Sequence, residues 1–309
     1  MINRRDFIKT IAGGAAAGAF LPLDRLAAFP LSPEGAGSPL AVVTGPDPAA
    51  LVTRAVELVG GMNTFVSSGD VVFVKPNISW DRPPEQGATT NPAVVETVVR
   101  LVLEAGAKKV IVADNTCNDA RRCYVHSGIK EAAEKAGADV PFMEKRKFVE
   151  TNIGGKAVRK WDVYREVLDA DKIINVPVAK HHGLSGVTLS MKNLMGLVGG
   201  ARNRMHQRLD TSIVDLLAFF RPSLTILDAV RILVEHGPQG GTIKDARKLD
   251  TVAACVDPVK IDAWGITILD EAHGGRPPAD FAFIRDAEER GLGTSDFRAG
   301  AFIEQTLDG

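Results

Sequence analysis

The feature that most restricts the fold of this chain is the alternation of short apolar, β-branched runs with segments of helical periodicity. Six such runs predict strands, at residues 40–44, 70–76, 108–114, 172–177, 223–229 and 251–257. Between them, segments such as 91–107 carry apolar residues at helical spacing. Apolar strands separated by helices are typical of βαβ units, in which both faces of a parallel sheet are covered. We therefore predict an α/β fold with a mostly parallel, doubly wound sheet and helices on both faces.

The first 30 residues have a different pattern. Residues 3–9, NRRDFIK, place two arginines before an uncharged apolar run from Ile11 to Leu23. This run is shorter than the about 20 apolar residues of a membrane-spanning helix, and paired arginines ahead of it are typical of a twin-arginine export signal. We predict a twin-arginine signal peptide over 1–30, recognition by the twin-arginine export machinery, a periplasmic or otherwise exported location, and no stable membrane insertion after cleavage. Residues 31–39 are predicted as a linker, and residues 40–309 as a single α/β domain.

Polar side chains follow the ends of the predicted strands. They are Lys75 and Asn77 after the second strand, Asp114, Asn115 and Cys117 after the third, Lys180, His181 and His182 after the fourth, Asp228 in the fifth, and Cys255 and Asp257 in the sixth. Ligands of open α/β sheets bind outside the carboxyl ends of the strands. Turns favour Asn and Asp by themselves, but they do not explain Lys, His and Cys. The placement predicts a ligand site at this edge.

Several segments resemble a known family. VKPN, TNPAVVETVVRLVLEAGAKKVIVADN, NVPVAKHHGLSGVTLSMKNLMGLV, DPVKIDAWG and GLG occur in this order between about residues 40 and 295. Together they resemble the domain-of-unknown-function family 362. The resemblance implies an α/β architecture. Some members of that family carry ferredoxin-like cysteine motifs or are labelled iron–sulfur proteins, whereas this chain contains no C-x2-C-x2-C run.

A basic stretch lies between Asp171 and Asp210, where no carboxylate occurs. It holds six lysines and arginines, three histidines and several glycines, and glycines and cations together favour bound anions. We predict that a small anionic ligand, a phosphate or a carboxylate, is bound here. The predicted substrate-binding residues are Lys75, Asn77, Lys192, Asn193 and Asp228. The alternative is a solvated basic face, and the formal net charge of −1 argues against a nucleic-acid partner.

Histidines of the same stretch are candidates for proton transfer. Adjacent residues of an extended chain point to opposite sides, so only one of His181 and His182 faces the site. We predict His181, His206 and Lys180 as catalytic residues, acting as general base and electrophile, or else as metal ligands. No HxH or HExxH spacing supports the metal, and a structural role is the alternative.

The three cysteines, Cys117, Cys123 and Cys255, cannot all be paired within one chain. Convergence at the sheet edge predicts ligands of a [4Fe–4S] cluster with one open iron, or of zinc together with one histidine. The alternatives are a disulfide between Cys117 and Cys123 beside a buried Cys255, or three unrelated thiols. A twin-arginine signal favours the cofactor, because that route carries folded proteins.

These observations lead to one functional hypothesis and two alternatives. The leading hypothesis is an exported redox or lyase-type enzyme that uses an iron–sulfur cluster or a metal on a small anionic substrate. The first alternative is a non-catalytic iron–sulfur electron-transfer or metal-binding protein. The second is an anion-binding protein without a cofactor.

Overall fold

A mixed sheet organises the described residues, 37–308, of the computed structural model. The strands are β1 (Leu40–Thr44), β2 (Val71–Pro76), β3 (Lys109–Val112), β4 (Phe148–Asn152), β5 (Lys160–Tyr164), β6 (Lys172–Val176), β7 (Val178–His182), β8 (Gly186–Thr188), β9 (Leu224–Leu233), β10 (Ala246–Cys255) and β11 (Phe302–Thr306). Nine of these form the main sheet, and β4 and β5 form a separate antiparallel pair. The predicted signal peptide and most of the predicted linker lie outside the described residues.

The order across the sheet is β11-β1-β10-β9-β6-β2-β3, with β7 paired to β9 and β8 paired to β7. Within the described sheet, five of the eight pairings are parallel, and those of β1 with β10, β10 with β9, and β7 with β8 are antiparallel. The mostly parallel sheet confirms the predicted fold class. The antiparallel direction of β10 was not predicted.

Helices cover both faces of the sheet, as predicted. They are α1 (Pro48–Leu58), α2 (Pro92–Glu104), α3 (Ala120–His126), α4 (Ile129–Lys135), α5 (Arg165–Asp169), α6 (Ser190–Asn193), α7 (Leu209–Phe220), α8 (Pro258–Ile268), α9 (Asp270–His273) and α10 (Ala282–Glu289). Buried residues of α1 to α4 share one hydrophobic core, and those of α5, α7, α8 and α10 share the other. Strand β2 contributes to both, because Val72 and Val74 face the first core and Phe73 faces the second.

Three helices begin with the same local signal. Asp47, Asn91 and Asp257 each cap a helix with the side chain, and each is followed by proline. The capping oxygen accepts a hydrogen bond from a backbone N–H that the helix leaves unpaired, and proline is tolerated at the first position because its missing N–H is not needed there. As a result, α1 begins shortly after β1, and α8 begins shortly after β10. Helix α2 begins after the loop that follows β2.

Some elements have no counterpart in the sequence prediction. The β4–β5 pair, the β7–β8 hairpin and β11 were not predicted as strands, and residues 154–162, predicted as a loop, run into β5. The end of the predicted linker belongs to the folded domain, because Ser38 is buried and its carbonyl accepts a hydrogen bond of 2.9 Å from Lys260 Nζ. Among the described residues, no helix is long and apolar enough to cross a membrane.

Candidate functional site

A buried ion pair lies at the carboxyl end of β2. Lys75 Nζ is 3.0 Å from Oδ1 of Asp114, which follows β3, and both side chains are almost completely buried. The other carboxylate oxygen of Asp114 accepts a hydrogen bond of 2.7 Å from the backbone N–H of Ile78. Burial lowers the pKa of Lys75, although Asp114 opposes this shift. The pair connects the ends of two neighbouring parallel strands.

Asn193, at the end of α6, joins this pair to the surrounding residues. Its Oδ1 accepts hydrogen bonds from Lys75 Nζ at 3.1 Å and from Asn77 Nδ2 at 2.9 Å. Its Nδ2 donates to the Lys75 carbonyl at 3.1 Å and to Asn175 Oδ1 at 2.9 Å. The amide thus uses its hydrogen-bonding capacity within the protein. Asn193 therefore positions Lys75 and Asn77, and Asn175 is a member of this network that the sequence analysis did not select.

Lys180, in the middle of β7, extends the network. Its side chain is 1% exposed, and its Nζ donates to Asn77 Oδ1 at 2.9 Å and to the Ala88 carbonyl at 2.6 Å. Burial, followed by repulsion from Lys192, lowers the pKa of Lys180 to about 7. At neutral pH this lysine is therefore divided between its ammonium and amine forms, as proton transfer requires.

Lys192 lies on α6 and interacts electrostatically with Lys180 and Cys117. Its pKa is lowered to about 8, first by burial and then by Arg202, against the attraction of Cys117. Its side chain remains partly exposed, and among the described residues we find no hydrogen-bond or ion-pair partner for its ammonium group. Lys192 is therefore a cation that a ligand can reach.

His182 adds a neutral imidazole to this group. Its Nδ1 accepts hydrogen bonds from the backbone N–H groups of Leu184 at 3.1 Å and Ser185 at 3.2 Å. Burial, followed by the positive charges of Lys192 and Lys180, lowers the pKa of His182 to about 3. Because Nδ1 accepts, the proton of the neutral ring is on Nε2, which is a donor. The ring stacks on that of His206, with centroids 6.3 Å apart, and the pKa of His206 is also lowered, mainly by burial.

His181, predicted as a catalytic residue, does not lie with these groups. Its Nδ1 accepts a hydrogen bond of 2.9 Å from the backbone N–H of Gly237, and it interacts electrostatically with Glu235 and His236 on the opposite side of β7. The structure thus groups His182, rather than His181, with the lysines. The alternation of strand residues could have identified it, because Lys180 and His182 are two residues apart and share a face.

Asp228, predicted to bind substrate, has a structural contact instead. Its Oδ2 accepts a hydrogen bond of 2.7 Å from the backbone N–H of Asn91, and its Oδ1 accepts one of 2.9 Å from Val230. Burial raises its pKa to about 6. It borders a pocket of about 240 Å³ that also includes Arg231. Because both oxygens are used by the backbone, Asp228 fixes the beginning of α2 rather than joining the lysines.

The loop that follows β3 carries Cys117 to the lysines. The guanidinium of Arg202 donates to the carbonyls of Asn115 at 2.7 Å and Thr116 at 2.9 Å, and the Cys117 N–H donates to the Ser79 carbonyl at 2.8 Å. The exposed Cys117 interacts electrostatically with the nearby lysines. Arg202 was not selected from the sequence, although it lies in the stretch without carboxylates. We call the following residues the basic cluster: Lys75, Lys180, Lys192, Arg202, His182, His206, Asp114 and Cys117.

The structure does not bring the three cysteines together. Cys123 lies in the core that contains α1 to α4, whereas Cys255 lies in the core on the opposite face of the sheet. Cys255 is aligned with Thr225, Asn175 and Lys75 across successive strands, so three strand spacings, roughly 14 Å, separate it from Lys75. The sheet itself keeps the thiols of Cys123 and Cys255 apart, and all three cysteines are free.

The two buried thiols have the properties of core residues. Burial raises the pKa of Cys123 to about 11 and that of Cys255 to about 12, as is usual for thiols in apolar surroundings. Among the described residues, the group with potential ligand atoms within 4.8 Å of one another is Glu235, His236 and Asp245, which contains no cysteine. Cys117, Cys123 and Cys255 therefore do not fit the predicted [4Fe–4S] cluster or the predicted zinc site, and the disulfide alternative is not formed.

Comparisons with known proteins show the family to which the chain belongs. A protein-family model described as "Domain of unknown function (DUF362)" matches residues 72–267. A thylakoid-associated protein of Synechocystis sp. is 30% identical over 227 residues, which cover 69% of this chain and 67% of that protein.

Two solved structures match about three quarters of this chain. The lactate racemase apoprotein of Thermoanaerobacterium thermosaccharolyticum has a TM-score of 0.45 and 11% identity over 75% of this chain. A structural-genomics protein of Thermotoga maritima has a TM-score of 0.40 and 11% identity over 74% of this chain. The chain spans 57% of the length of each.

Proposed function

The chain belongs to the DUF362 family, and we propose that it binds a small anionic molecule in the basic cluster, where Lys180 exchanges a proton with the ligand. The ligand carries a carboxylate or a phosphate group. The observation that supports this most directly is the ammonium group of the partly exposed Lys192, which lies near the buried Lys180 and has no protein partner among the described residues.

The balance of charge in the cluster favours an anion. Repulsion acts between Lys75 and Arg202, between Lys180 and both Lys75 and Lys192, and between Lys192 and Arg202, whereas Asp114 attracts Lys75 and Lys180. An anion placed beside Lys180 and Lys192 would stabilise their charged forms and raise both pKa values. Binding near neutral pH is therefore expected to take up protons, as linkage requires.

Neutral donors complete the proposed site. His182 presents its Nε2–H, and its low pKa keeps the ring uncharged at neutral pH. Lys180 is held by Asn77 and by the carbonyl of Ala88, so its amine has a fixed position. With a pKa of about 7, Lys180 is suited to accept a proton from a bound molecule and return it.

The proposed anion-binding function, which needs no cofactor, replaces the leading hypothesis from the sequence. The iron–sulfur forms of the enzyme hypothesis and of the electron-transfer alternative depend on the three cysteines as ligands. Because Cys123 and Cys255 lie on opposite faces of the sheet, the proposed function does not include an iron–sulfur cluster.

Isothermal titration calorimetry of the purified chain with inorganic phosphate and with succinate tests the proposal. Lys192→Gln removes the reachable charge, and Lys145→Gln, on an exposed turn, is the matched control. We expect Lys192→Gln to weaken binding by about tenfold or more, since hydrogen bonds to charged groups contribute about 1.5–3 kcal/mol, while Lys145→Gln binds like the wild type. Titrations in buffers of different ionisation enthalpy are expected to show proton uptake. Absence of binding by wild type, or equal binding by both variants, would refute the proposal.

A further inference from the structure

Thr188, the last residue of β8, carries a buried hydroxyl group without a partner. Its side chain is 4% exposed, and among the described residues its Oγ1 has no hydrogen-bond partner. Buried polar groups of folded proteins are nearly always hydrogen-bonded, because leaving water without a new partner is costly. The hydroxyl of Thr188 therefore requires an explanation.

The position of Thr188 associates this hydroxyl with the basic cluster. Thr188 lies directly across from Lys180 in the antiparallel β7–β8 pair, so the two side chains are neighbours on one face. Val187 and Leu189, on either side of Thr188 in sequence, belong to the core on the other face. Thr188 is thus on the face that also carries Lys180 and His182.

The polar side chains near this face include both charged and neutral groups. The ammonium group of Lys192 and the Nε2–H of His182 are donors that suit anionic oxygens. A threonine hydroxyl both donates and accepts, so it suits a neutral hydroxyl or carbonyl oxygen. A ligand that satisfies all three must carry a polar substituent near its anionic group.

We propose that Thr188 is a specificity-determining residue that hydrogen-bonds a hydroxyl or carbonyl oxygen of the bound anion. The ligand class is then a small carboxylate or phosphate ester with such an oxygen near the charged group, rather than a simple anion. This inference rests on the proposed anion site. It adds the choice of ligand, which the lysines alone do not determine.

A pair of ligands that differ by one hydroxyl provides the test. Succinate and malate, with each enantiomer of malate measured separately, are titrated into wild type and Thr188→Val, which keeps the β-branched shape. Thr97→Val is the matched control, because Thr97 is also a buried threonine but lies on α2, where its hydroxyl donates to the Ala93 carbonyl. We expect wild type and Thr97→Val to prefer one malate enantiomer by about tenfold, which corresponds to about 1.4 kcal/mol. Thr188→Val should lose that preference and bind succinate like the wild type.

The possible outcomes distinguish an error in the Thr188 inference from an error in the proposed anion site. If succinate binds and depends on Lys192 while wild type does not distinguish it from malate, the Thr188 inference is wrong and the anion site remains. The inference is equally wrong if Thr188→Val keeps the preference, since the hydroxyl then has another partner, such as water. If neither ligand binds to wild type, the anion site itself is refuted.

Discussion

Gly196 approaches Asp114 so closely that a Cβ atom at Gly196 would lie 1.8 Å from Oδ1 of Asp114. The same atom would be 2.8 Å from Lys75 Nζ. The backbone of Gly196 also accepts a hydrogen bond of 3.0 Å from the N–H of Asn115. A side chain at this position is therefore excluded by the buried ion pair beneath it.

We expect Gly196→Ala to lower the free energy of unfolding by about 1–3 kcal/mol, because the ion pair must shift to make room for the methyl group. The matched control is Gly183→Ala, where an added Cβ meets nothing within 4 Å. Urea denaturation measures both variants. Equal stability of the two would mean that the Lys75–Asp114 pair does not occupy the space that the structure assigns to it.

Lys180 should make stability depend on pH above neutrality. Its pKa is about 7 in the folded chain and 10.5 when unperturbed, mainly because of burial. Between these values the unfolded state binds more protons, so the free energy of unfolding rises with pH, by about 2 kcal/mol from pH 7 to pH 9 for this group. Lys180→Met should remove that contribution, as measured by chemical denaturation at pH 7, 8 and 9. An unchanged slope in the variant would show that Lys180 is not the group that titrates.

The cysteines should behave as independent residues. Because Cys123 and Cys255 lie on opposite faces of the sheet, Cys123→Ser and Cys255→Ser are expected to destabilise additively, within about 0.5 kcal/mol. Cys117→Ser should have little effect on stability, since its side chain is exposed. Urea denaturation of single and double variants measures this. Strong coupling, together with iron and acid-labile sulfide in protein prepared without oxygen, would instead support a shared cluster.

The predicted export signal lies outside the residues that the structure describes, and mutation of its arginines tests it. We propose that Arg4 and Arg5 direct the chain to the twin-arginine machinery. Arg4→Lys combined with Arg5→Lys should leave the full-length chain in the cytoplasm, whereas wild type should appear in the periplasm about 3 kDa smaller, as expected for a cleaved signal segment. Cell fractionation and immunoblotting distinguish the two, and normal export of the double variant would contradict the proposal.

Local sequence signals were sufficient for much of the fold. Strand β1 was predicted with its observed bounds, and β2 and β6 within one residue at either end. Each of these runs is apolar along its length because it is covered on both faces. Helix α2 was predicted because Asn91 and Pro92 mark its beginning and its apolar residues recur at helical spacing. These features depend on neighbouring residues alone.

Local sequence signals do not determine the direction of a strand. An apolar strand has the same pattern whether it is parallel or antiparallel to its neighbour, so the sequence did not show that β10 runs against β9. The predicted convergence of Cys255 with Cys117 and Cys123 failed for another reason that local signals do not show, since the strand order places β10 three strands from β2 and Cys255 and Cys123 lie on opposite faces. The short β7–β8 hairpin was also missed, and with it the position of Thr188 opposite Lys180. By contrast, the choice between His181 and His182 was accessible from the alternation of residues along a strand.

The place of β1 in the sheet has a consequence for biosynthesis. Its two neighbours are β10 and β11, so the first described strand to leave the ribosome pairs only with the last two. Until Thr306 has been synthesised, β1 exposes at least one edge with unpaired backbone groups. Contacts between such distant residues are slow to form, so this edge of the sheet is completed only after Thr306 has been synthesised. Until then the nascent chain carries an aggregation-prone segment, and binding by a chaperone during that interval would protect it.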